Sequence, residues 1–512
     1  MTFSYSDLMA LDLTGLGTAA ADWRTMAGEL AKLAGGTRDG LVKHSDGARW
    51  EGANATVTRE FVHKTAKEIA DLHQEAESIA AVLTDAHAEL AAIQKKARSL
   101  TEAAGTGDQN RNPPDPALIV SDGPCGTVRV IEAVCTPQGP DQRVKDRMRW
   151  YADALTRTVQ HAAEIDATAV RALRASHGND PYNAGHATYT SLDEDQLPRA
   201  TELAKRGGGL SGIERDRLRM LWESLSPGAR AQLWAAHRND LLAAGILSPT
   251  MPQISPDAGA GEHDSRGVGV GDRWTEAKMY LLTEGADAKG MTDAARHMDH
   301  YLGNSGKPMN LPVDRMMADV PAFKTYVDDI VRLNQDGWRE QAAEEFRKNG
   351  GKPVVIPVEA RHPDDFYFTD KLDANWYYAV GGVNTNVTGV VTAVPDANGN
   401  PKISIDYQAN VWDRYNWDEG KGVKVGPLDI PDGDMAKLHR VGLAQEFDMA
   451  GSSDVRSYDL GTAQPNGEPL PGPGESRDGR LNPGREQQQD RTTGGPGGRP
   501  ETDAARPGGG VR

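Results

Sequence analysis

A chain of 512 residues with 38% hydrophobic content is long enough to hold several domains with cores of their own. Its formal net charge of -17 argues against a duplex-binding protein, because neutralising phosphates requires clustered Lys and Arg. No run approaches about eighteen apolar residues, and the N-terminus lacks a basic stretch followed by an apolar core, so neither a transmembrane helix nor a classical signal peptide is expected.

The first periodic stretch runs through Leu16, Ala19, Trp23, Met26, Leu30 and Leu33, which step by three and four as an a/d seam does. Past Trp50-Glu51-Gly52 the seam resumes. Val62, Ile69, Ala76, Leu83 and Leu90 fall seven apart, and Thr65, Leu72, Ile79, Ala86, Ile93 and Leu100 fill the alternate positions. Residues 1–105 therefore read as an antiparallel helical hairpin. Gly52 sits where the turn needs a positive φ, and Trp50 is expected to close the open end of the seam with its large apolar area.

The Trp50-Glu51-Gly52 triplet, its place in mid-hairpin and the seams on both sides resemble the Trp-X-Gly family. These are small helical-hairpin proteins exported by the type VII (ESX) secretion systems of actinobacteria and relatives. The resemblance covers about a fifth of the chain. It implies a secreted protein and a small helical partner of the same family. The family's export signal, Tyr-x-x-x-Asp/Glu directly after the second helix, is absent from residues 100–120. Later matches at Tyr189/Asp193, Tyr280/Glu284 and Tyr415/Glu419 are scattered, so the partner is expected to supply the signal.

Residues 106–137 hold a Gly- and Pro-rich linker to Pro116 and then a short β-hairpin, with Leu118, Ile119 and Val120 before Ser121-Asp122-Gly123 and Val128, Val130 and Val134 after it. Cys125 and Cys135 lie around this hairpin. Their spacing suits either one disulfide or two buried thiols. Residues 138–248 read as helical: one long helix from Arg143 to Ala175, then shorter ones with a restart at Ser226-Pro227, Ser at the cap and Pro in the first turn. A linker is expected over 249–272 and more helix over 273–350.

From residue 351 the period changes to two. Val354–Val358, Trp376–Val380, Thr388–Val394 and Ile403–Val411 read as strands, the last with Ile403, Ile405, Tyr407, Ala409 and Val411 on a buried face and Lys402, Ser404, Asp406, Gln408 and Asn410 on a wet one. A helix from about Asp434 to Phe447 follows, with Asp432 as its cap and Gly451 to end it. The α+β module is taken as 351–450. Residues 451–512, rich in Gly, Pro, Arg and Gln, read as a disordered tail. The expected class is thus multidomain: an α-helical N-terminal half and a C-terminal α+β module built on an antiparallel sheet.

Three groups of residues invite chemical readings. Asp293, His297 and His300 share one face of a predicted helix, as metal ligands must, but they lie opposite the stripe of Met291, Ala295, Met298 and Leu302 and read as a solvated face; no metal and no cofactor is expected. Asp396-Ala-Asn398-Gly-Asn400 begins like a calcium loop, yet Pro401 and Tyr407 stand where the loop needs Gly and Glu, which leaves a hairpin turn; the Gly runs at 267–271 and 420–422 read as loops.

The densest polar group joins Asp413 at the end of the best strand to His439, Arg440 and Glu446 on the following helix. His439 is placed to act as a general base, oriented by Asp413 or Glu446 beside Arg440, with Gly442 leaving room for something to approach; the same residues also suit a purely structural ion-pair network. This region is similar to small C-terminal modules of bacterial polymorphic secreted proteins, although the long tail after it departs from their toxin-last order. Two functions follow as expectations. One is a type VII effector acting on a competitor cell or the envelope, paired with an immunity protein; the other is a non-enzymatic secreted protein whose C-terminal sheet binds a partner.

Overall fold

The computed structural model describes residues 3–107, 115–133, 142–176, 188–249, 260–362, 364, 366–417, 422–425 and 428–460. Two compact units emerge, residues 1–133 with 151–229 and residues 134–150 with 230 onward. The class is as expected: long helices in the first half and an α+β region with antiparallel strands in the second. Among the described residues no helix is long and apolar enough to cross a membrane.

The first unit contains α1 (Tyr5–Ala10), α2 (Leu13–Gly36), α3 (Lys43–Gly47), α4 (Ala53–Thr106), β1 (Leu118–Asp122), β2 (Val128–Glu132), most of α5 (Gln142–Ser176), α6 (Asp193–Ala204) and α7 (Gly212–Ser224). α2 and α4 form the expected hairpin. Its packing is uneven. On α4 the predicted seam residues Ala76, Ile79, Ala86, Leu90 and Ile93 are buried, but between Ala55 and Ala76 no side chain is. On α2 the tightest contacts are Ala20 and Ala27, while Met26 and Leu33, assigned to the seam, are half exposed. Small residues let the two backbones approach, and this turns the longer side chains outward. At the far end α1 is tied to α4 by the Gln94 amide, which donates to Leu8 O at 2.9 Å and Leu11 O at 3.0 Å. The expected β-hairpin forms, with Leu118 opposite Glu132 and Asp122 opposite Val128. Cys125 is exposed in its turn, whereas Cys135 lies outside the described residues, as does the pairing of the two.

The second unit contains the rest of α8 (Pro227–Ala243), then α9 (Val270–Asp287), α10 (Thr292–Leu302), β3 (Met309–Asn310), α11 (Val313–Asp319), α12 (Pro321–Lys348), β4 (Val354–Ala360), β5 (Phe366–Tyr367), α13 (Ala374–Ala379), β6 (Gly382–Pro395), β7 (Pro401–Tyr415), β8 (Gly422–Val425), β9 (Leu428–Pro431), α14 (Asp432–Arg440), β10 (Phe447–Ser452) and β11 (Arg456–Asp459). The restart at α8 follows its sequence signal, since Ser226 Oγ accepts from the Ala229 amide at 3.1 Å. The main sheet runs β3-β10-β7-β6-β4, with β11 also on β7 and β5 also on β6. All pairings are antiparallel except the short β3–β10 contact. The helices of 273–350 are no separate region. Met298, Phe323, Val327, Ile330 and Phe346 share one core with the sheet residues Val391, Ile405, Tyr407 and Met449.

Several expectations are corrected. Trp376–Val380 is not a strand but the helix α13, because Asp373 caps it through the Trp376 amide at 2.9 Å and the indole of Trp376 is held by Asp319 Oδ2 at 2.8 Å. The wet face of β7 is wet only at its start. Lys402 is exposed, but Gln408 and Asn410 are buried in a network in which Asn410 Nδ2 donates to Asn386 Oδ1 and Thr388 Oγ1, both at 2.9 Å. Arg238 adds a two-pronged contact to Asp406, at 3.2 and 2.9 Å.

Residues 451–460 are sheet rather than disordered tail, with Tyr458 and Leu460 buried; polar composition hid a few well-placed apolar residues. The remainder of the predicted tail, 461–512, lies outside the described residues. Between β10 and β11 the strand bulges against β7. Three residues, 453–455, oppose two, and Ser453 substitutes for the missing ladder contact: its N–H donates to Ala409 O at 2.8 Å and its Oγ accepts from Ala409 N at 2.9 Å. The variant Ser453→Ala strands the buried Ala409 N–H and is expected to lower stability by about 1–3 kcal/mol in urea unfolding. An unchanged midpoint would show that the bulge does not depend on this hydroxyl.

Candidate functional site

The predicted constellation is brought together only in part, and its centre is closed. α14 ends at Arg440 rather than near Phe447, and Phe447 lies in β10. The helix stops because Gly442 takes a φ of 70°, with the Leu443 amide returning to Leu438 O at 2.9 Å. Residues 260–266, the second half of the expected linker, form a strap over this helix end. Asp264 N donates to His439 O at 3.2 Å and Arg266 N to Arg440 O at 2.8 Å, which satisfies carbonyls that a helix C-terminus leaves open. The space beside Gly442 is filled by Asp264, whose Oδ1 would lie 2.6 Å from an added Cβ.

His439 is 5% exposed, against the expectation of an accessible base. Its Nε2 donates to Gly261 O at 3.0 Å and its Nδ1 accepts from the Glu446 amide at 3.1 Å. Both ring nitrogens are therefore committed to backbone in the neutral form. Burial, with His263, Arg414 and Arg440 nearby, pushes its pKa down to about 4 despite the opposing bond to Gly261. Glu446, also buried, accepts from Ala260 N at 2.7 Å and Trp417 N at 3.2 Å through Oε1. Arg440 reaches Ala260 O at 3.3 Å. Asp413 stands on β7 opposite Met449 and accepts from the Arg414 amide at 2.8 Å; among the described residues it makes no hydrogen bond to His439. The group is a backbone clamp. A general base needs a lone pair facing its substrate, and here that lone pair holds an amide.

The face of Asp293, His297 and His300 is solvated only at His300, which is partly exposed with its Nε2 2.7 Å from Lys307 O. Asp293 and His297 are buried on α10. His297 Nδ1 donates to Ala379 O at 2.7 Å, and burial depresses its pKa to about 3. Asp293 accepts from Arg296 at 3.0 Å, from Arg315 and from Asn375 at 2.8 Å, while the Asn375 carbonyl caps α10 by accepting from Asp293 N and Ala294 N. Among the described residues no group of three or more His, Cys, Asp or Glu is arranged for a metal. Asp396 makes the hairpin turn, its Oδ1 accepting from the Asn398 and Asn400 amides at 2.8 Å. The Gly run at 267–271 leads into α9, yet Asp272 already occupies the Gly269 amide at 2.7 Å.

Sequence spacing missed another histidine. His161 on α5 lies 2.5 Å from Ser224 Oγ and 3.8 Å from Glu223, with both His161 and Ser224 buried. The Ser224 hydroxyl donates to Met220 O at 2.8 Å, so it receives the imidazole N–H rather than offering its own proton. It also sits at the C-terminal end of α7, where the helix dipole disfavours an oxyanion. The trio ties α5 to α7. A groove of about 570 Å³ lies between α2 and α4, lined by Arg24, His73, Glu77, Asp85 and Tyr189.

What the structure exposes instead is the hairpin tip. Gly52 has a φ of 106° and opens α4, as the turn requires. Trp50 is 44% exposed and does not close the seam. The elbow is held by Arg59, which donates to Ser45 O, Ala48 O and Trp50 O at 3.1, 3.0 and 2.8 Å. Leu41 before it and Val57 and Phe61 in the first turns of α4 are exposed, as are Leu33 and Leu72 farther along the hairpin. Compared with known protein families, with curated proteins and with solved structures, the chain finds no match in any of the three.

Two measurements follow. Because folded His439 and His297 stay neutral until about pH 4 and 3, while unfolded histidine takes a proton near 6.5, stability is fully present above about pH 6.5 and falls as the pH drops toward 4. The His439 share is on the order of 3 kcal/mol. His439→Gln, which keeps a donor for Gly261, is expected to flatten that dependence in denaturant unfolding between pH 7 and 4; an unchanged slope would refute it. Trp50→Ala, in turn, is expected to cost only about 1 kcal/mol, as suits a half-exposed indole, and a loss three times larger would place the ring in a core after all.

Proposed function

We propose that the chain is a two-part protein secreted by a type VII route, its helical hairpin carried by a small partner hairpin and its C-terminal module serving as a binding domain. The observation that carries the reading is the apolar strip around the elbow. Val57 and Phe61 are 64% and 68% exposed on one face of α4, and Trp50 and Leu41, in the chain leading into it, are exposed as well. Between Ala55 and Ala76 the stretch of α4 that carries them has no buried side chain. A patch of this kind marks an interaction site, and a second amphipathic hairpin would complete the seam that α2 covers only near its middle. The resemblance to the Trp-X-Gly family supplies the nature of that hairpin and the export route.

Binding is favoured over catalysis for the C-terminal module because its best-placed acid and base groups, His439 and Glu446, are occupied by backbone amides and carbonyls. Action on a competitor cell, guarded by an immunity protein, remains the reading that a toxicity assay of the module would support.

The double variant Val57→Asp with Phe61→Asp is expected to keep the helical content and melting of the free chain, since both side chains are already in water. It is expected to lose co-purification with a co-expressed small Trp-X-Gly hairpin protein and to lose export by at least about tenfold. Undiminished export and pairing of a folded double variant would overturn the assignment of this strip.

A further inference from the structure

A second apolar face, in the C-terminal unit, has no role in the reading above. α9 turns Asp272, Met279, Thr283 and Ala286 inward, and Asp272 is anchored by Lys437 at 2.6 Å. On its outer side Val270, Trp274 and Leu281 are 91%, 74% and 76% exposed. With Ala277 between them they fall at intervals of four, three and four, a single stripe about 16 Å long. A helix already seated by its inner face has no folding reason to carry a bare tryptophan and two bare aliphatics in register on the other.

We propose that this stripe is a self-association surface, on which α9 of a second copy packs antiparallel about a two-fold axis near Ala277. The charges along the helix select that occupant. The Trp274 half carries Arg273, paired with Glu276 at 3.1 Å, and Lys278, a net positive half with Asp272 held by Lys437, while the Leu281 end carries Glu284 and Asp287. A two-fold, antiparallel pairing lays Trp274 over the partner's Leu281, sets each Arg273 beside the partner's acidic end, opposes the helix dipoles and leaves the small Ala277 at the crossing point. A parallel pairing would put like charges together. An anionic lipid surface is disfavoured because Arg273 and Lys278 beside the stripe are outweighed by Glu276, Glu284 and Asp287, and Arg273 is already paired with Glu276 at 3.1 Å, whereas an interfacial helix carries an excess of Lys and Arg.

Sedimentation velocity of the full chain over a hundredfold range of concentration tests this. A reversible dimer is expected. Trp274→Glu and Leu281→Asp should each weaken it by at least about tenfold without changing the circular-dichroism melt, since both side chains are exposed in the free chain. Arg273→Glu should weaken it several-fold, and adding Glu284→Lys and Asp287→Lys should restore it, a rescue that only antiparallel pairing provides. The proposal is overturned if the chain is monomeric throughout, or if its dimer survives Trp274→Glu combined with Leu281→Asp, as one formed through the hairpin tip would. Binding to anionic vesicles that is lost in Trp274→Glu, with the chain monomeric in solution, would also overturn it and assign the stripe to a membrane surface.

Discussion

The C-terminal end of α14 is the constraint around which the second unit is arranged. A helix ending inside a protein leaves carbonyls that must find donors, and here the donors come from residues 260–266, far away in sequence. Once that strap lies across the helix end, its own amides and carbonyls need partners in turn. His439, Glu446 and Arg440 supply them. The polar groups that look catalytic in one dimension are therefore consumed in closing a backbone circuit, and the absence of a Cβ at Gly442 is what lets Asp264 come close enough to complete it.

The three buried histidines follow one principle. His161, His297 and His439 each lie where desolvation disfavours the charged ring, and each bridges one element to another as a neutral donor or acceptor. A neutral imidazole is a compact way to join helix to loop or helix to helix without burying a net charge. It also makes the folded state sensitive to acid in a direction opposite to that of a salt-bridged, protonated histidine.

The two units differ in how they use apolar surface. In the sheet unit, large side chains such as Trp376, Trp412, Trp417 and Tyr415 are wholly buried, and polar residues are drawn in with their partners. In the hairpin, alanines make the closest contacts, while Phe61, Val57 and Trp50 remain in water. A long thin hairpin has no interior wide enough for aromatic rings. Its large residues therefore stay in water, whereas the sheet and the helices packed on it enclose theirs.

Periodicity by itself determined the helical hairpin, its turn at Gly52, the β-hairpin at 118–132, the long helix from about residue 143 and the strands at 354–360 and 403–411, because these patterns depend on neighbours within one element. The restart at Ser226-Pro227 was equally local. Which polar residues are wet was decided only in three dimensions. Asn410 and Gln408 alternate as solvent-facing residues should, and His297 lies opposite an apolar stripe, yet each is buried by an element distant in sequence that brings a matching donor or acceptor. Trp50 shows the reverse: its composition predicts burial, but nothing in the hairpin is broad enough to cover it. A side chain's polarity states what burial would cost, whereas the partner that removes the cost, or the surface that provides the cover, is set by which distant segments the fold brings together.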